Sequence, residues 1–431
     1  MDADYPEALQ IEVTNRCNFN CQMCIRRVWD AKMGDLNLDL YRRVAKTTFP
    51  HLRRLILYGL GEPFANPNFI EMLKIAREEL PGDSEILIST NGSLLDPRLT
   101  EKILRIGVDN ISFSIDTTDV TKLKYIREGS EPTVILRNFK HASKMKKNLN
   151  GTLRLGAEAV VMIDNFMDLP NLVKELSQEE VDYILISHIM PYTEEMFRKS
   201  VYIPLSRIPF EIVKSSLKYD WNLIRESIRE SFGRIYGLEI EPKASRMISE
   251  FWNEAEKNGY WINLPLLFYL RDKIIEISED VERIFEICRK IAHEYGVEIK
   301  TPNLYPDAKE RRCPYVDKNT AFIRSDGTVA PCLEFAYSHP AYVNMHAKNV
   351  HAVTFGNLKE ENVEKIWGEK AYVSFRETRR KISEKIPWCG DCLYSSLGCY
   401  FTRTNSSDCY ANEPGCNECF YSVDLVQCNI S

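Results

Sequence analysis

Three cysteines stand together near the start of the chain, spaced Cys17-x3-Cys21-x2-Cys24, directly after the apolar run LQIEV. Three thiolates on one compact loop can ligate three irons of a cubane cluster and leave the fourth iron without a protein ligand. Structural zinc wants four ligands, and the nearest histidine is His51. A second group lies at the other end. Cys313 and Cys332 bracket Phe322–Val329, with Gly327 between them, and Cys389, Cys392, Cys399, Cys409, Cys416, Cys419 and Cys428 follow. These nine thiols suffice for two four-cysteine centres with one left over. By count, iron–sulfur and zinc are equally good readings. Cys288 stands alone and reads as a small buried apolar residue.

The chain around them has 431 residues, 44% hydrophobic and 27% charged, ordinary for a folded protein of two or three domains. Its 56 basic against 62 acidic residues give a net charge of −6, which argues against a sequence-blind nucleic-acid binder. The start, MDADYPEALQ, lacks the apolar stretch of a secretory signal. The longest apolar run, near 262–270, is too short to span a bilayer. A cytoplasmic protein is expected, and clustered thiols there point to metal or redox chemistry. With only four Gln against many Lys and Glu, the composition leans towards thermophiles, whose cytosols tolerate disulfides, so paired C-terminal cysteines are the exception to test.

Positioning the thiols requires a scaffold. Strands are expected at 9–13, 55–58, 86–89, 110–115, 153–163 and 183–189, and helices near 39–48, 67–80, 97–106, 133–146 and 169–176. Strand–helix units of about 30 residues imply a parallel sheet wrapped by helices. In a barrel of such units the chemistry sits where strands end, which is where the first three cysteines lie. From 193 to 310 the periodicity is helical, and an insertion is expected there, read equally as lid or padding. Phe322–Val329 alternates about an Asp-Gly turn and reads as a hairpin, and 361–379 as a helix. The last 45 residues are poor in aliphatics and need something besides a core to hold them.

With these residues the chain resembles the radical S-adenosylmethionine superfamily, whose hallmark is a Cys-x3-Cys-x2-Cys loop after the first strand of a partial (β/α)6 barrel. The residue before the third cysteine, usually aromatic there, is Met23. Gly59-Leu-Gly61-Glu62-Pro63 is similar to the family's Gly-Gly-Glu-Pro segment, Ser89-Thr-Asn91-Gly92 to its Thr-Asn-Gly, and Ser114-Ile-Asp116 to its Ser-x-Asp. The resemblance implies an iron–sulfur cluster on Cys17, Cys21 and Cys24. It implies S-adenosylmethionine held by Gly61, Glu62, Asn91, Ser114, Asp116 and Arg127, cleaved to a 5′-deoxyadenosyl radical that takes hydrogen from a substrate. Local sequence alone would leave Arg127 on the surface. No general base can be assigned among Glu12, Asp116 and Glu158, which all fall on expected strands.

Cys313-x13-Gly327-x4-Cys332, Gly356-Asn-Leu358, Ile366-Trp367 and Cys389-x2-Cys392 resemble the SPASM domain, which carries two auxiliary four-iron clusters. The spacing to Cys399 and Cys409 departs from that pattern, and Cys416-x2-Cys419 is extra. The resemblance implies auxiliary ligands among Cys313, Cys332, Cys389, Cys392, Cys399, Cys409, Cys416, Cys419 and Cys428, with one to spare. Within SPASM proteins the likeness is to tungsten-cofactor oxidoreductase maturases, carried by Cys24–Asp30, the Gly-x-Gly-Glu-Pro variant and the long tail. The expected fold is α/β: a radical S-adenosylmethionine partial barrel over 1–192, a helical insertion over 193–310 and an auxiliary iron–sulfur domain over 311–431. The expected partners are an electron donor such as ferredoxin or flavodoxin, and a substrate protein, peptide or pterin cofactor, without nucleic acid or membrane. The alternatives are a SPASM-type maturase of peptides or sulfatases, a zinc-stapled α/β binding protein, and an electron-transfer protein without radical chemistry.

Overall fold

A computed structural model of the chain describes residues 4–148, 153–217, 221–235, 237–238, 241–427 and 429–430. Six strands alternate with helices as expected: β1 (Ala8–Ile11), α1 (Leu38–Thr48), β2 (Arg54–Ile56), α2 (Phe69–Glu79), β3 (Glu85–Thr90), α3 (Pro97–Ile106), β4 (Asn110–Ser114), α4 (Val120–Ile126), α5 (Pro132–Asn148), β5 (Arg154–Val161), α6 (Leu169–Gln178) and β6 (Tyr183–His188). Neighbouring strands of β1 through β6 all pair in parallel. Helix ends follow local chemistry. Asp96 caps α3 by accepting from Leu99 N at 2.8 Å, and Gly107, at φ 99°, ends it in the left-handed region that suits glycine.

Strand periodicity separates two environments. Leu9, Ile11, Leu55, Ile86, Ile88, Ile111, Phe113, Leu155 and Ile184 pack in one apolar core with helix residues such as Tyr41, Met72, Ile103 and Leu172. The alternate positions Ile56 and Leu87, with Tyr58 just beyond β2, join a separate small cluster with Phe322 and Tyr337, and polar residues such as Gln10 and Ser112 take further alternate positions.

The remaining elements extend this sheet at both edges. The insertion is helical, with α7 (Glu194–Lys199), α8 (Arg207–Leu217), α9 (Asn222–Ile235), α10 (Lys243–Lys257) and the 32-residue α11 (Leu264–Tyr295). It then supplies a strand, β7 (Glu298–Lys300), parallel to β6. After the short α12 (Pro314–Asp317), β8 (Thr320–Ile323) and β9 (Thr328–Ala330) form the hairpin around Asp326-Gly327. β8 pairs in parallel with β1, so the auxiliary segment continues the barrel sheet. A second hairpin, β10 (His339–Val343) and β11 (His346–Val350), and the two-residue β12 (Gly356–Asn357) follow. The order β12-β9-β8-β1-β2-β3-β4-β5-β6-β7 leaves β7 and β12 as edges, so the barrel is partial. The helix expected over 361–379 is two, α13 (Val363–Gly368) and α14 (Lys370–Arg379), broken at Glu369, whose ψ of 135° is not helical.

Candidate active site

The cysteine loop leaves the C-terminal end of β1 and docks beside α4. Asn20 N donates to Glu128 O and Gln22 N to Ile126 O, both at 2.8 Å. Cys24 begins a 3-10 turn, Ile25–Arg27. Cys17 Sγ accepts from Phe19 N at 3.4 Å and, more weakly, from Asn91 Nδ2 at 3.7 Å. The three thiols lie within electrostatic reach of one another. Burial pushes Cys21 up to about 12, Arg127 pulls it back, and Cys24 and Cys17 push it further. Three half-buried thiols on a loop pinned by backbone bonds, with N–H donors aimed at one sulfur, fit a cluster ligated by three cysteines.

The Gly-x-Gly-Glu-Pro segment after β2 locks onto this loop. Glu62 N donates to Arg16 O at 2.8 Å. A Cβ on Gly61 would lie 2.3 Å from Thr14 O, and one on Gly59 would meet the Glu12 side chain at 2.5 Å. These glycines therefore serve close packing of one loop on another, besides any approach to a ligand. The Glu62 carboxylate accepts from Thr90 Oγ1 and Asn91 N, each at 2.7 Å, and burial lifts it to about 7. It therefore ties β2's loop to the end of β3. Asn91 in turn donates to Asn18 Oδ1 at 2.9 Å, returning to the cysteine loop. Ser114, at the end of β4, is half-buried.

Arg127 is 7% exposed and its Nε lies 2.7 Å from Asp116 Oδ2. Burial alone would lower the guanidinium, but Asp116 and Cys21 more than offset it. Asp116 also accepts from Val160 N at 2.9 Å. The surface position that local sequence suggests for Arg127 is overridden by this buried partner.

The structure ranks the three carboxylates, of which Glu158 lies on β5 while Glu12 and Asp116 follow the ends of β1 and β4. Asp116 is fully buried and spent on Arg127. Glu12 is fully buried and accepts from Leu60 N at 2.9 Å, Ser325 N at 3.2 Å and the Tyr337 hydroxyl. Glu158 alone is half-buried, with Asn429 Nδ2 at 3.0 Å and Ser112 and Ser89 beside it. Tyr337 and Asn429 escaped the sequence reading, because they reach the barrel from the far end of the chain.

The auxiliary thiols fall into two neighbourhoods by mutual electrostatic reach. Cys313 is raised by burial and then by Cys419 and Cys416. Cys332 is raised by burial and then by Cys313, Cys419 and Cys416. Cys389 senses Cys392, Cys392 senses Cys399, and Cys409 senses Cys392 and Cys399. Cys313, Cys332, Cys416 and Cys419 thus form one group, and Cys389, Cys392, Cys399 and Cys409 the other. Cys313, Cys392, Cys399 and Cys419 each precede a short helical turn, whose free N–H groups favour negative sulfur. The buried Arg311 donates to Cys416 O at 2.6 Å, stacks over Trp388 at 5.4 Å and lies within electrostatic reach of Cys419, Cys416 and Cys389. Asn417 donates to Cys389 Sγ at 3.1 Å from between Cys416 and Cys419. Each described cysteine is a free thiol. Cys288 is fully buried in the core, and Cys428 lies outside the described residues. Among the described residues, no three Cys, His, Asp or Glu side chains close around a single metal ion.

The sequence model of the radical SAM superfamily matches residues 11–174, and that of an iron–sulfur cluster-binding domain, SPASM, matches 313–393. The chain thus carries a radical S-adenosylmethionine domain followed by a SPASM domain. It is an enzyme of that class, with the family's cofactors, iron–sulfur clusters and S-adenosylmethionine. It is 28% identical to the tungsten-containing aldehyde ferredoxin oxidoreductase cofactor-modifying protein of Pyrococcus furiosus, over 98% of this chain and 97% of that one. The GTP 3′,8-cyclase of Sinorhizobium medicae is 29% identical over 46% of this chain and 57% of its own. The fold is similar to that of Streptococcus suis SuiB bound to S-adenosylmethionine, with TM-score 0.54, 14% identity and coverage of 98% and 78%. It is also similar to anSMEcpe with bound AdoMet, with TM-score 0.50, 14% identity and coverage of 95% and 93%. Among the described residues no helix is long and apolar enough to cross a membrane.

Proposed function

We propose that Cys17, Cys21 and Cys24 hold the reactive cluster and that this enzyme matures a tungsten-dependent oxidoreductase or its cofactor. A cluster and S-adenosylmethionine held by these residues would supply one-electron reductive cleavage and hydrogen-atom abstraction. This chain's residues do the rest. The Glu62 carboxylate at the mouth of β2 is an acceptor for an ammonium, and Arg127 with Ser114 suits a carboxylate. Asp116 fixes the Arg127 guanidinium, and Glu62 and Asn91 pin the cysteine loop. Of Glu12, Asp116 and Glu158, the half-buried Glu158 is the one placed to meet substrate. The two auxiliary four-cysteine sets hold further clusters, so Cys428 is the spare ligand. The domain limits of 192 and 310 remain the best division by composition, although one sheet runs through all three segments.

The observation carrying the tungsten reading is the end-to-end likeness to the Pyrococcus furiosus cofactor-modifying protein. Anaerobic incubation with the tungstopterin cofactor, with the apo-oxidoreductase and with its peptides, followed by product mass analysis, tests it. A mass change in the cofactor or the oxidoreductase supports the reading. A change confined to an unrelated precursor peptide favours a peptide maturase.

A further inference from the structure

We infer that the hollow between the insertion and the turn after Cys392 is a binding site for an arginine side chain of a polypeptide partner. Its lining is aromatic with one carboxylate, and includes none of the residues assigned to S-adenosylmethionine or to a cluster.

The hollow, of about 250 Å³, is lined by Trp252 and Glu256 of α10, Tyr260 and Trp261 after it, and Leu393 and Tyr394 after Cys392. Trp252 and Glu256 stand four residues apart and so share one helix face. Trp252, Trp261 and Tyr394 are 40%, 63% and 61% exposed. Such a gathering of large solvent-facing rings marks an interaction site. The walls are locked in place. Trp252 Nε1 donates to Ile262 O at 3.3 Å. Asn263, capping α11, donates to Gly390 O, Ser395 Oγ and Ser396 Oγ at 3.2, 3.2 and 2.9 Å, and so ties the insertion to the Cys392 turn. The insertion therefore builds most of the site, a role that padding would not need.

Charge and shape select the occupant. Among the described residues, Glu256 is the one charged group lining the hollow, and its exposed carboxylate has no ion pair or hydrogen bond. Other charges nearby are engaged or acidic. Lys257 pairs with Glu254 at 3.7 Å, and Lys309 donates to Asn258 O at 2.6 Å. Asp307 accepts from the Tyr260 hydroxyl at 3.4 Å, and Asp391 and Glu310 lie within its electrostatic reach. Aromatic faces attract cations, and this set already takes one: the Lys309 ammonium sits 4.4 Å from the Tyr260 ring centre. A second cation is therefore the complement of Glu256 and the exposed rings. A guanidinium suits them best, because it stacks flat on aromatic faces while pairing with a carboxylate. The hollow is smaller than the roughly 300–1,000 Å³ of small-molecule pockets. Leu397, 62% exposed on the same turn as Tyr394, extends the apolar rim. The cation therefore arrives on a larger surface, as arginine anchors do at protein interfaces.

The test uses the anaerobically reconstituted full chain and a fluorescein-labelled peptide with one arginine between two leucines. Matched peptides carry lysine or the neutral isostere citrulline, and free arginine amide is the competitor without a surface. Binding is read by fluorescence polarisation, iron is counted per chain, and Glu256→Gln and Trp261→Ala are compared with wild type. Both residues are exposed, so iron content and melting temperature should hold. The arginine peptide is expected to bind more tightly than the lysine peptide, and about tenfold more tightly than the citrulline peptide. Each variant should weaken the arginine peptide by a similar factor, and salt should weaken it too. Equal binding of the arginine and citrulline peptides, or unaltered binding in either variant, would overturn the assignment. So would arginine amide binding as tightly as the peptide, the mark of a small-molecule site. If Trp261→Ala fails to fold, Glu256→Gln decides by the same measurement.

Discussion

Asn429, two residues from the end of the chain, donates its side-chain amide to Glu158 Oε1 at 3.0 Å and to the Tyr183 hydroxyl at 2.8 Å. The tail runs along β6: His188 N donates to Leu425 O, and Gln427 N to Ser187 Oγ. Ile430 is fully buried among Ile56, Tyr58 and Leu87. The end of the auxiliary segment therefore packs into the barrel, against Glu158. Asn429→Ala leaves buried polar groups short of a partner and is expected to cost about 1–3 kcal/mol. Asn429→Asp, facing Glu158, costs more. Chemical denaturation checks both, and an unchanged midpoint for Asn429→Asp would contradict the contact.

Gly61 cannot carry a side chain without moving the cysteine loop, because its Cβ would meet backbone oxygens of Thr14 and Arg16 at 2.3 and 2.6 Å. Gly61→Ala is expected to cost on the order of 1–3 kcal/mol, as overpacking does, and to lower iron incorporation at the first site. Iron counted after reconstitution checks this. Full loading would show that the two loops yield freely.

The pH dependence of stability should carry a signature of Glu62. Its carboxyl is lifted to about 7 in the folded chain from 4.5 when free. Between those values the folded chain holds a proton that the unfolded chain has lost, so stability falls as pH rises through the window. At about 1.4 kcal/mol per pH unit, the loss is on the order of 3 kcal/mol. Denaturant titrations from pH 4.5 to 8, without S-adenosylmethionine, should show that decline in wild type and a flatter profile in Glu62→Gln.

Much of this was readable beforehand, for identifiable reasons. The six barrel strands and the cysteine loop follow from local periodicity and spacing, and they fall within a few residues of expectation. α4 and the β10–β11 hairpin were not foreseen. Hairpin β10–β11 turns at Asn344-Met345, both at positive φ, without the glycine that usually signals such a turn. Arg127 looks like a surface residue until Asp116 is brought beside it. The grouping of the auxiliary thiols is set by contacts such as Arg311 to Cys416, 105 residues apart, which spacing does not encode. The tail, poor in aliphatics, gave no hint that Ile430 would be buried in the barrel.

That grouping makes its own prediction. Cys416→Ala should remove about four irons per chain, as should Cys399→Ala. Cys313→Ala added to Cys416→Ala should cost no more, because both fall in one set, whereas Cys399→Ala added to Cys416→Ala should cost about four more. Cys428→Ala should leave the iron content unchanged. Additive losses within one set would break the partition.

The central claim is that Cys17, Cys21 and Cys24 support reductive cleavage of S-adenosylmethionine. The most direct measurement is 5′-deoxyadenosine formed by the anaerobically reconstituted protein with dithionite, in wild type and in Cys24→Ala. The account predicts steady formation by wild type and none above background in the variant, with the auxiliary iron retained. Equal formation by both, or a wild type that holds zinc without iron and leaves S-adenosylmethionine intact, would contradict it.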